Sequence, residues 1–235
     1  AAVRKEFESK GAKVLFSQAW AENTLWSKKP IIKADDVKGL KIRAVPLVSD
    51  AIQKLGATPV ALTWPDALEG LQRGVIDAMT SAPFDSGVHG GAFEVAPYGT
   101  DLGRTGIFAV ASFGLSLDRY NRLSEKHRRI IDEVAALAPK VGVEANDKSV
   151  DAAADKLCNA KKKLHIHLFS PEETAKVHKL AATTMQADWV KRVKTEVKID
   201  GQPMLDEFIG YIRNYEKVST YVPGFERYMK KCGAK

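Results

Sequence analysis

Three predicted strand ends in the first third of the chain carry side chains that together can hold an organic acid. Arg43 ends the strand in "GLKIRAVP", Trp64 follows the next strand, and Thr80 and Ser81 end the third. A guanidinium binds a carboxylate through two parallel N–H bonds, an indole supplies an apolar wall, and a hydroxyl orients an oxygen. An arginine at a strand end also commonly forms an ordinary surface salt bridge, so these residues by themselves leave both roles open.

A regular alternation of short apolar segments and helices positions these residues. The predicted strands read LKIRAV, TPVAL and VIDAMTS, and the helices between them read SDAIQKLG and PDALEGLQRG. Apolar strands that are separated only by a helix predict a parallel sheet with helices on its faces. The carboxyl ends of parallel strands meet at one edge, where open α/β sheets bind ligands. We therefore expect the strand-end side chains to lie in one cleft.

Composition and charge narrow the classes of function. The 235 residues are 45% hydrophobic, which is enough for a sizeable core, and the apolar runs are far shorter than the roughly 20 residues that cross a bilayer. The formal charge of +7 raises the question of a nucleic-acid partner. The basic residues are scattered, however, and accompany no zinc spacing or RNA-binding aromatic signature. We expect a solvated basic surface and no nucleic acid.

Motifs for catalysis or cofactor binding are absent from the sequence. His165 and His167 place two imidazoles on one face of a strand, a spacing that can bind metal, but Glu172 and Glu173 fit the first turn of a helix better than a third ligand position. There is no Gly-x-Ser-x-Gly elbow, phosphate loop or dinucleotide fingerprint. We expect no catalytic residues, no metal and no cofactor.

The ordered run "ADDVKGLKIRAVP … LGATPVALTWPDALEGLQRGVIDAMTS" resembles the core of the extracytoplasmic solute receptors of tripartite ATP-independent periplasmic (TRAP) transporters. The stretches KGAKVLF, KKPI and LSEKHRRIIDEVA extend the resemblance over most of the chain, and it is most specific over residues 28–81. It implies an α/β, two-lobed fold of the periplasmic-binding-protein type, with mostly parallel sheets flanked by helices. The family's opening strands and helices have no counterpart here, so the resemblance implies an incomplete first lobe.

The resemblance also implies how the chain is divided between the lobes. Residues 1–32 are expected to form the end of the first lobe and a crossing, and residues 33–85 to form the β-α-β-α-β unit of the second lobe. Residues 86–125 would cross back to the first lobe. Residues 126–235 would form a mainly helical part that packs on both lobes.

The site residues implied by the resemblance begin with Arg43 as the carboxylate-binding arginine. Trp64 takes the place of an aromatic residue that lines the pocket, and Ser81 stands where many members carry a polar side chain. Many sialic-acid and dicarboxylate receptors have a second arginine before a Pro-Ile turn, where this chain reads WAENTLWSKKPI. A second acidic group would lack that anchor, so we expect a monocarboxylate or another small organic acid. The other residues expected near it are Asn23, Thr24, Trp26 and Thr80.

Together these features predict a periplasmic solute receptor that closes two lobes on a small organic acid. The resemblance implies that it delivers this acid to integral membrane transporter subunits. The chain opens with AAVRKEFESKGAKVLF, a charged amphipathic stretch without the pattern of a secretory signal, so the expected location rests on the resemblance. A small-molecule enzyme on a two-lobed scaffold and a ligand-sensing domain for a membrane partner are the alternatives.

Two cysteines, Cys158 and Cys232, lie in the last third of the chain. Their separation fits no redox or metal motif. A periplasmic location would permit a disulfide between them, which would tie the C-terminal segment to the preceding long helix. The sequence leaves this disulfide and two separate thiols as equal alternatives.

Overall fold

The computed structural model describes residues 2–102 and 110–233, which form an α/β fold with two β-sheets. Short strands alternate with helices in the first part of the chain. The elements there are α1 (Ala2–Ser9), β1 (Ala12–Ala19), β2 (Asn23–Ser27), a 3-10 turn (Ala34–Val37), β3 (Lys41–Arg43), α2 (Pro46–Lys54), β4 (Thr58–Val60), α3 (Trp64–Arg73), β5 (Ala78–Pro83), α4 (Phe84–His89), α5 (Ala92–Val95) and β6 (Tyr98–Asp101).

The second part of the described chain is mainly helical, as the sequence predicts. Two short π-helical stretches, at His178–Thr183 and Val193–Val197, continue the helices next to them. The other elements are β7 (Val110–Ser116), α6 (Leu117–Arg122), α7 (Glu125–Asn159), β8 (His165–His167), α8 (Pro171–Val177), α9 (Thr184–Arg192), α10 (Gln202–Glu216) and α11 (Gly224–Cys232).

Six strands form the large sheet, in the order β4-β3-β5-β2-β6-β8. The predicted β-α-β-α-β unit supplies β3, β4 and β5, which run parallel to one another. Strand β2 lies antiparallel between β5 and β6, and β8 joins β6 in parallel. The carboxyl ends of the parallel strands and the first residue of β2 therefore meet at one edge, which we call the site edge.

Apolar side chains cover both faces of the large sheet because neighbouring residues in its strands point to opposite sides. Trp26 and Met79 belong to one buried cluster, which also contains residues of α3, α4, α7 and α11. Leu25 and Ala78 belong to the other, which contains residues of α2, the 3-10 turn and α8. The two clusters hold the sheet between two layers of helices.

The small sheet consists of β1 and β7, which pair antiparallel. Phe16 and Phe113 stack across this pair, with ring centroids 4.6 Å apart. Helix α1 and the first part of α7 contact β1, and α6 follows β7. The division of the chain at residues 32, 85 and 125 stays a prediction, although β2, β6 and β8 all join the large sheet from outside residues 33–85.

Helix α7 is 35 residues long and connects the two sheets. Its first half lies on β1, whereas Val150, Ala153, Ala154 and Leu157 in its second half are buried against the large sheet. Pro139 lies inside the helix, at a position where its ring removes one backbone hydrogen bond.

The cysteines form a disulfide between Cys158 at the end of α7 and Cys232 at the end of α11, with their Cα atoms 5.4 Å apart. This is one of the two arrangements that the sequence left open. It fixes the last helix against the long helix. Over the described ranges, no helix is both long and apolar enough to cross a membrane.

Candidate functional site

The site edge brings three of the predicted site residues into one hydrogen-bonded chain. Arg43 is the last residue of β3, Thr80 lies in β5, and Asn23 is the first residue of β2. Strand β5 is the neighbour of both β3 and β2, which is why residues 57 positions apart in the sequence can meet. All three are buried or nearly so.

Two main-chain carbonyls orient the guanidinium of Arg43. Its Nε donates to the carbonyl of Leu62 at 3.0 Å, and its Nη1 donates to the carbonyl of Thr80 at 3.1 Å. Burial lowers the pKa of the Arg43 guanidinium, because desolvation disfavours the charged form. An arginine stays protonated in proteins even so. The result is a fixed positive charge in a partly desolvated position, which strengthens its attraction for an anion.

Thr80 and Asn23 continue this chain. The Thr80 hydroxyl donates to the side-chain oxygen of Asn23 at 3.2 Å, while the Thr80 carbonyl accepts from Arg43. A displacement of any one of these three residues therefore acts on the other two. Whether Thr80 or Asn23 contacts a solute directly stays a prediction.

Thr24 and Trp26 follow Asn23 in β2 and are completely buried. The Thr24 hydroxyl has no hydrogen-bond partner among the described residues, which is unusual for a buried polar atom. Trp26 belongs to the apolar core, where its ring lies 6.5 Å from that of Phe225. A solute could reach Trp26 only if the residues that cover it moved, so its role as a lining residue stays a prediction.

Trp64 is the first residue of α3 and lies two residues after the carbonyl that orients Arg43. Thr63 caps this helix by accepting from the Asp66 amide. The Trp64 ring is half-buried and lies against the backbone of Gly90, where a Cβ atom would come within 2.8 Å of the ring. Gly90 therefore permits the close approach of the Trp64 ring, and the role of Trp64 as a wall of the pocket stays a prediction.

Ser81, the remaining predicted site residue, follows Thr80 in β5, but its side chain lies outside the described part of the structure. Residues 103–109 also lie outside the described part. The predicted role of Ser81 as a polar pocket residue stays a prediction.

Glu22 is a residue at the site edge that the sequence does not single out. It directly precedes Asn23 and is buried, and its two carboxylate oxygens accept from the Tyr221 hydroxyl and from the Gly224 amide. Burial raises the pKa of the Glu22 carboxyl, and the charge of Asp101 raises it further. The local sequence carried no signal for this role, because the partners lie about two hundred residues away.

The two histidines that could suggest a metal lie in β8, at the end of the large sheet. The ring of Tyr98 stacks on His165 at 5.0 Å and on His167 at 6.2 Å. Burial lowers the pKa of His167. In the part of the chain that the structure describes, no three histidine, cysteine or acidic side chains are grouped as metal ligands.

Sequence comparison finds a match over residues 1–192 to the family described as "DctP: Bacterial extracellular solute-binding protein, family 7". The chain is 26% identical over 208 residues to the ectoine-binding periplasmic protein TeaA of Halomonas elongata, with 87% of this chain and 58% of that protein covered. It is 24% identical over 187 residues to the ectoine/5-hydroxyectoine-binding periplasmic protein UehA of Ruegeria pomeroyi, with 79% and 54% covered. The chain thus spans little more than half the length of these relatives.

Comparison with solved structures finds the same fold. The periplasmic ectoine-binding protein of the TeaABC TRAP transporter of Halomonas elongata superimposes with a TM-score of 0.75 at 23% identity, covering 88% of this chain and 66% of that chain. A TRAP periplasmic solute-binding protein of Desulfovibrio salexigens, with bound orotic acid, gives a TM-score of 0.74 at 20% identity, covering 93% and 67%. The solved structures confirm the predicted two-lobed α/β fold class. The family and the relatives, which are described as extracellular or periplasmic, confirm the expected extracytoplasmic location.

Proposed function

Because the chain belongs to family 7 of the bacterial extracellular solute-binding proteins, we propose that it binds a small organic acid at the site edge through Arg43. The observation that carries this proposal is the guanidinium that the carbonyls of Leu62 and Thr80 hold at the carboxyl end of β3. An arginine so oriented presents N–H groups to a carboxylate without a large entropic cost. The relatives reported above are named as binding proteins and not as enzymes, which favours binding without turnover.

We further propose a ligand with one carboxylate. The segment before the Lys29-Pro30 turn carries no second arginine, and the buried residues there are neutral or acidic, with Glu22 next to Asn23. The Glu22 carboxyl accepts hydrogen bonds from Tyr221 and Gly224 and supplies no positive charge to bind a second carboxylate. Ectoine, which the names of two relatives mention, and orotic acid, which a structural neighbour holds, each have one carboxylate and are the first solutes to test.

Isothermal titration calorimetry of the full-length protein tests this proposal. The solutes are ectoine, orotic acid and, as a dicarboxylate, malate; the proteins are the wild type, Arg43→Ala, Arg43→Lys and Arg73→Ala. Arg73 pairs with Glu69 on the exposed side of α3 and is the matched control. We expect at least one monocarboxylate to bind the wild type and Arg73→Ala equally. Arg43→Ala should weaken that binding by about 30-fold or more, because a partner of a buried charged pair is removed.

Arg43→Lys should restore only part of the affinity, because an ammonium cannot form two parallel bonds. Equal affinity in the wild type and Arg43→Ala would refute the role of Arg43. Consumption of a solute, measured by chromatography after incubation, would favour the enzyme alternative.

Delivery to integral membrane transporter subunits is part of the same proposal, and the membership of the family supports it. Transport of the bound acid into vesicles should require both the receptor and the integral membrane subunits of a TRAP transporter. Binding to a membrane kinase or receptor in place of a transporter would favour the sensing alternative.

A further inference from the structure

Two connections between the small and the large sheet lie within the described residues. Residues 20–22 lead from the end of β1 directly into β2, and Glu22 is the last residue of this crossing. Helix α7 is the other connection, since its first half lies on β1 and its second half is buried against the large sheet. Among the residues that the structure describes, these are the segments on which a change in the angle between the two sheets would act.

A segment near the C-terminus, residues 221–227, contacts both connections, and we call it the C-terminal strap. At its first end the Tyr221 hydroxyl donates to Glu22 at 2.6 Å, and the Gly224 amide donates to the other oxygen of the same carboxylate at 2.5 Å. The Glu22 carbonyl in turn accepts from the amide of Phe84. The strap is thereby joined to the crossing and to the end of β5.

Gly224 explains how the strap approaches the sheet so closely. A Cβ atom at this position would lie 2.1 Å from the ring of Phe84, so only glycine allows the backbone to lie against that ring. The ring of Phe84 also meets Phe225 edge-on, with centroids 5.2 Å apart. The strap is therefore packed against the site edge as well as hydrogen-bonded to it.

At the other end of the strap, Arg227 pairs with two aspartates of α7. Its guanidinium contacts Asp147 and lies 3.2 Å from the carboxylate of Asp151, and little of the Arg227 side chain is exposed. The same guanidinium lies 5.3 Å from the centre of the Tyr221 ring, which joins the two ends of the strap to each other. Asp147 and Asp151 lie in the second half of α7, on either side of Val150, which is buried against the large sheet.

A surface cavity of about 1030 Å³ lies beside these contacts, lined by residues of α7, of the end of α10 and of the strap. Its walls include Val143, Glu144, Tyr215 and Val218. Beside this cavity the strap also packs closely on the helix, because Phe225 belongs to the same buried cluster as Val150 and Ala153 of α7.

We propose that Glu22 and Arg227 are positioning residues that make the C-terminal strap a tie between the two inter-sheet connections, and that the tie sets how long a solute stays bound. The proposal rests on the proposed function, because it concerns closure around the acid that Arg43 holds. Glu22 directly precedes Asn23, which is hydrogen-bonded through Thr80 to Arg43. A displaced strap therefore changes the site edge without removing a group that binds the solute.

The test compares Tyr221→Phe with Tyr215→Phe in the full-length protein, using the acid identified by calorimetry. Tyr221→Phe removes one bond to Glu22 but keeps the ring beside Arg227. Tyr215→Phe removes an exposed hydroxyl from the same cavity and is the matched control. We expect the dissociation rate in stopped-flow measurements to rise about threefold to tenfold in Tyr221→Phe, with the association rate unchanged within about twofold.

Two further variants distinguish positioning from a general loss of structure. Glu22→Gln keeps an acceptor for the Gly224 amide, so it should stay closer to the wild type than Glu22→Ala in dissociation rate. Arg227→Ala should resemble Tyr221→Phe, because it releases the other end of the strap. Small-angle X-ray scattering should show that solute reduces the radius of gyration less in Tyr221→Phe than in Tyr215→Phe.

The outcomes separate this proposal from the proposed function. If the wild type binds no acid, or binds it independently of Arg43, the proposed function fails. A different result would refute the tie alone. In that case binding depends on Arg43, but Tyr221→Phe and Arg227→Ala have the same dissociation rate and the same change in radius of gyration as Tyr215→Phe. The proposed receptor function would then stand.

Discussion

The two sheets of this protein differ in how their apolar surfaces are covered. The large sheet has a buried apolar cluster on each face, made by helices from several parts of the chain. Around the small sheet, by contrast, Val110 and Phe113 of β7 and Val134 and Leu137 of α7 are exposed. The large sheet thus has a buried apolar cluster on each face, whereas several apolar residues around the small sheet stay exposed.

This difference explains where the candidate site is well defined. Arg43, Thr80 and Asn23 are linked by hydrogen bonds across neighbouring strands of the large sheet. The following predictions test whether stability resides in the large sheet, in order of decreasing effect.

Trp26→Ala should produce the largest loss of stability. Trp26 is fully buried between the large sheet and α11, so its removal leaves a cavity and lowers the free energy of unfolding by about 3–5 kcal/mol. The measurement is urea unfolding followed by circular dichroism. Trp20→Ala, which removes a tryptophan with 45% of its surface exposed, is the control and should cost less than about 1 kcal/mol. Equal losses would contradict the location of the core.

Removal of the disulfide should have the next largest effect. The Cys158–Cys232 bond spans 74 residues, and its loss frees the unfolded chain, which lowers the free energy of unfolding by about 2–4 kcal/mol. The variant Cys158→Ala with Cys232→Ala, and the reduced wild type, should unfold at the same urea concentration, below that of the oxidised protein. Hydrogen exchange should accelerate in α11 and leave β1 and β7 unchanged. Faster exchange in the small sheet instead would show that the disulfide acts on both regions.

Phe113→Ala tests the small sheet directly. Its stacking on Phe16 is a packed aromatic contact in this region, but the ring is 41% exposed, so the loss should be only about 1 kcal/mol. Urea unfolding measures it, with Val110→Ala on the same strand as a control that should change stability by less than about 0.5 kcal/mol. A loss as large as that of Trp26→Ala would show that the small sheet has a core of its own.

The smallest effect concerns an ion pair beside the large sheet. Hydrogen bonds from Lys176 of α8 and from Lys38 lower the pKa of Asp35, in the 3-10 turn, to about 2. A carboxyl group whose pKa is lower in the folded than in the unfolded protein stabilises the fold at pH values above its unfolded-state pKa of about 4. This stabilisation is lost as the pH falls through the folded-state pKa. The small stability difference between wild type and Asp35→Asn should therefore shrink between pH 4 and pH 2, as urea unfolding at successive pH values would show. It should also shrink in about 1 M salt, because the pair is exposed. A difference that is independent of both pH and salt would mean that Asp35 acts through packing.

Part of the candidate site could be predicted because its signals are local. Arg43 ends an apolar strand, and a helix that stops at a glycine follows it. Because this strand–helix pattern repeats, it predicts parallel strands whose carboxyl ends lie at one edge of the sheet. Strand boundaries were less accurate: β3 and β4 have only three residues each, and β5 begins later than the apolar pattern indicates. Short strands end where ladder hydrogen bonds end, and those depend on the neighbouring strand.

The burial of other residues could not be predicted, because their surroundings come from distant parts of the chain. Trp26 and Thr24 lie in a polar-looking stretch, yet antiparallel insertion of β2 between β5 and β6 buries both completely. The local sequence suggests that Glu22 is exposed to solvent. In the structure the C-terminal strap covers it, and Tyr221 of the strap lies 199 residues away in the sequence. No local pattern records such contacts.

The β-α-β-α-β unit, the place of Arg43 at a strand end, and Glu172 and Glu173 in the first turn of a helix could all be predicted from sequence, since each depends on residues only a few positions apart. The tertiary structure alone decided the order of the six strands, the burial of Glu22 and the pairing of Cys158 with Cys232. The physical reason is that these features arise when apolar faces from distant segments are buried together, and burial of that kind depends on the whole chain and not on any one segment.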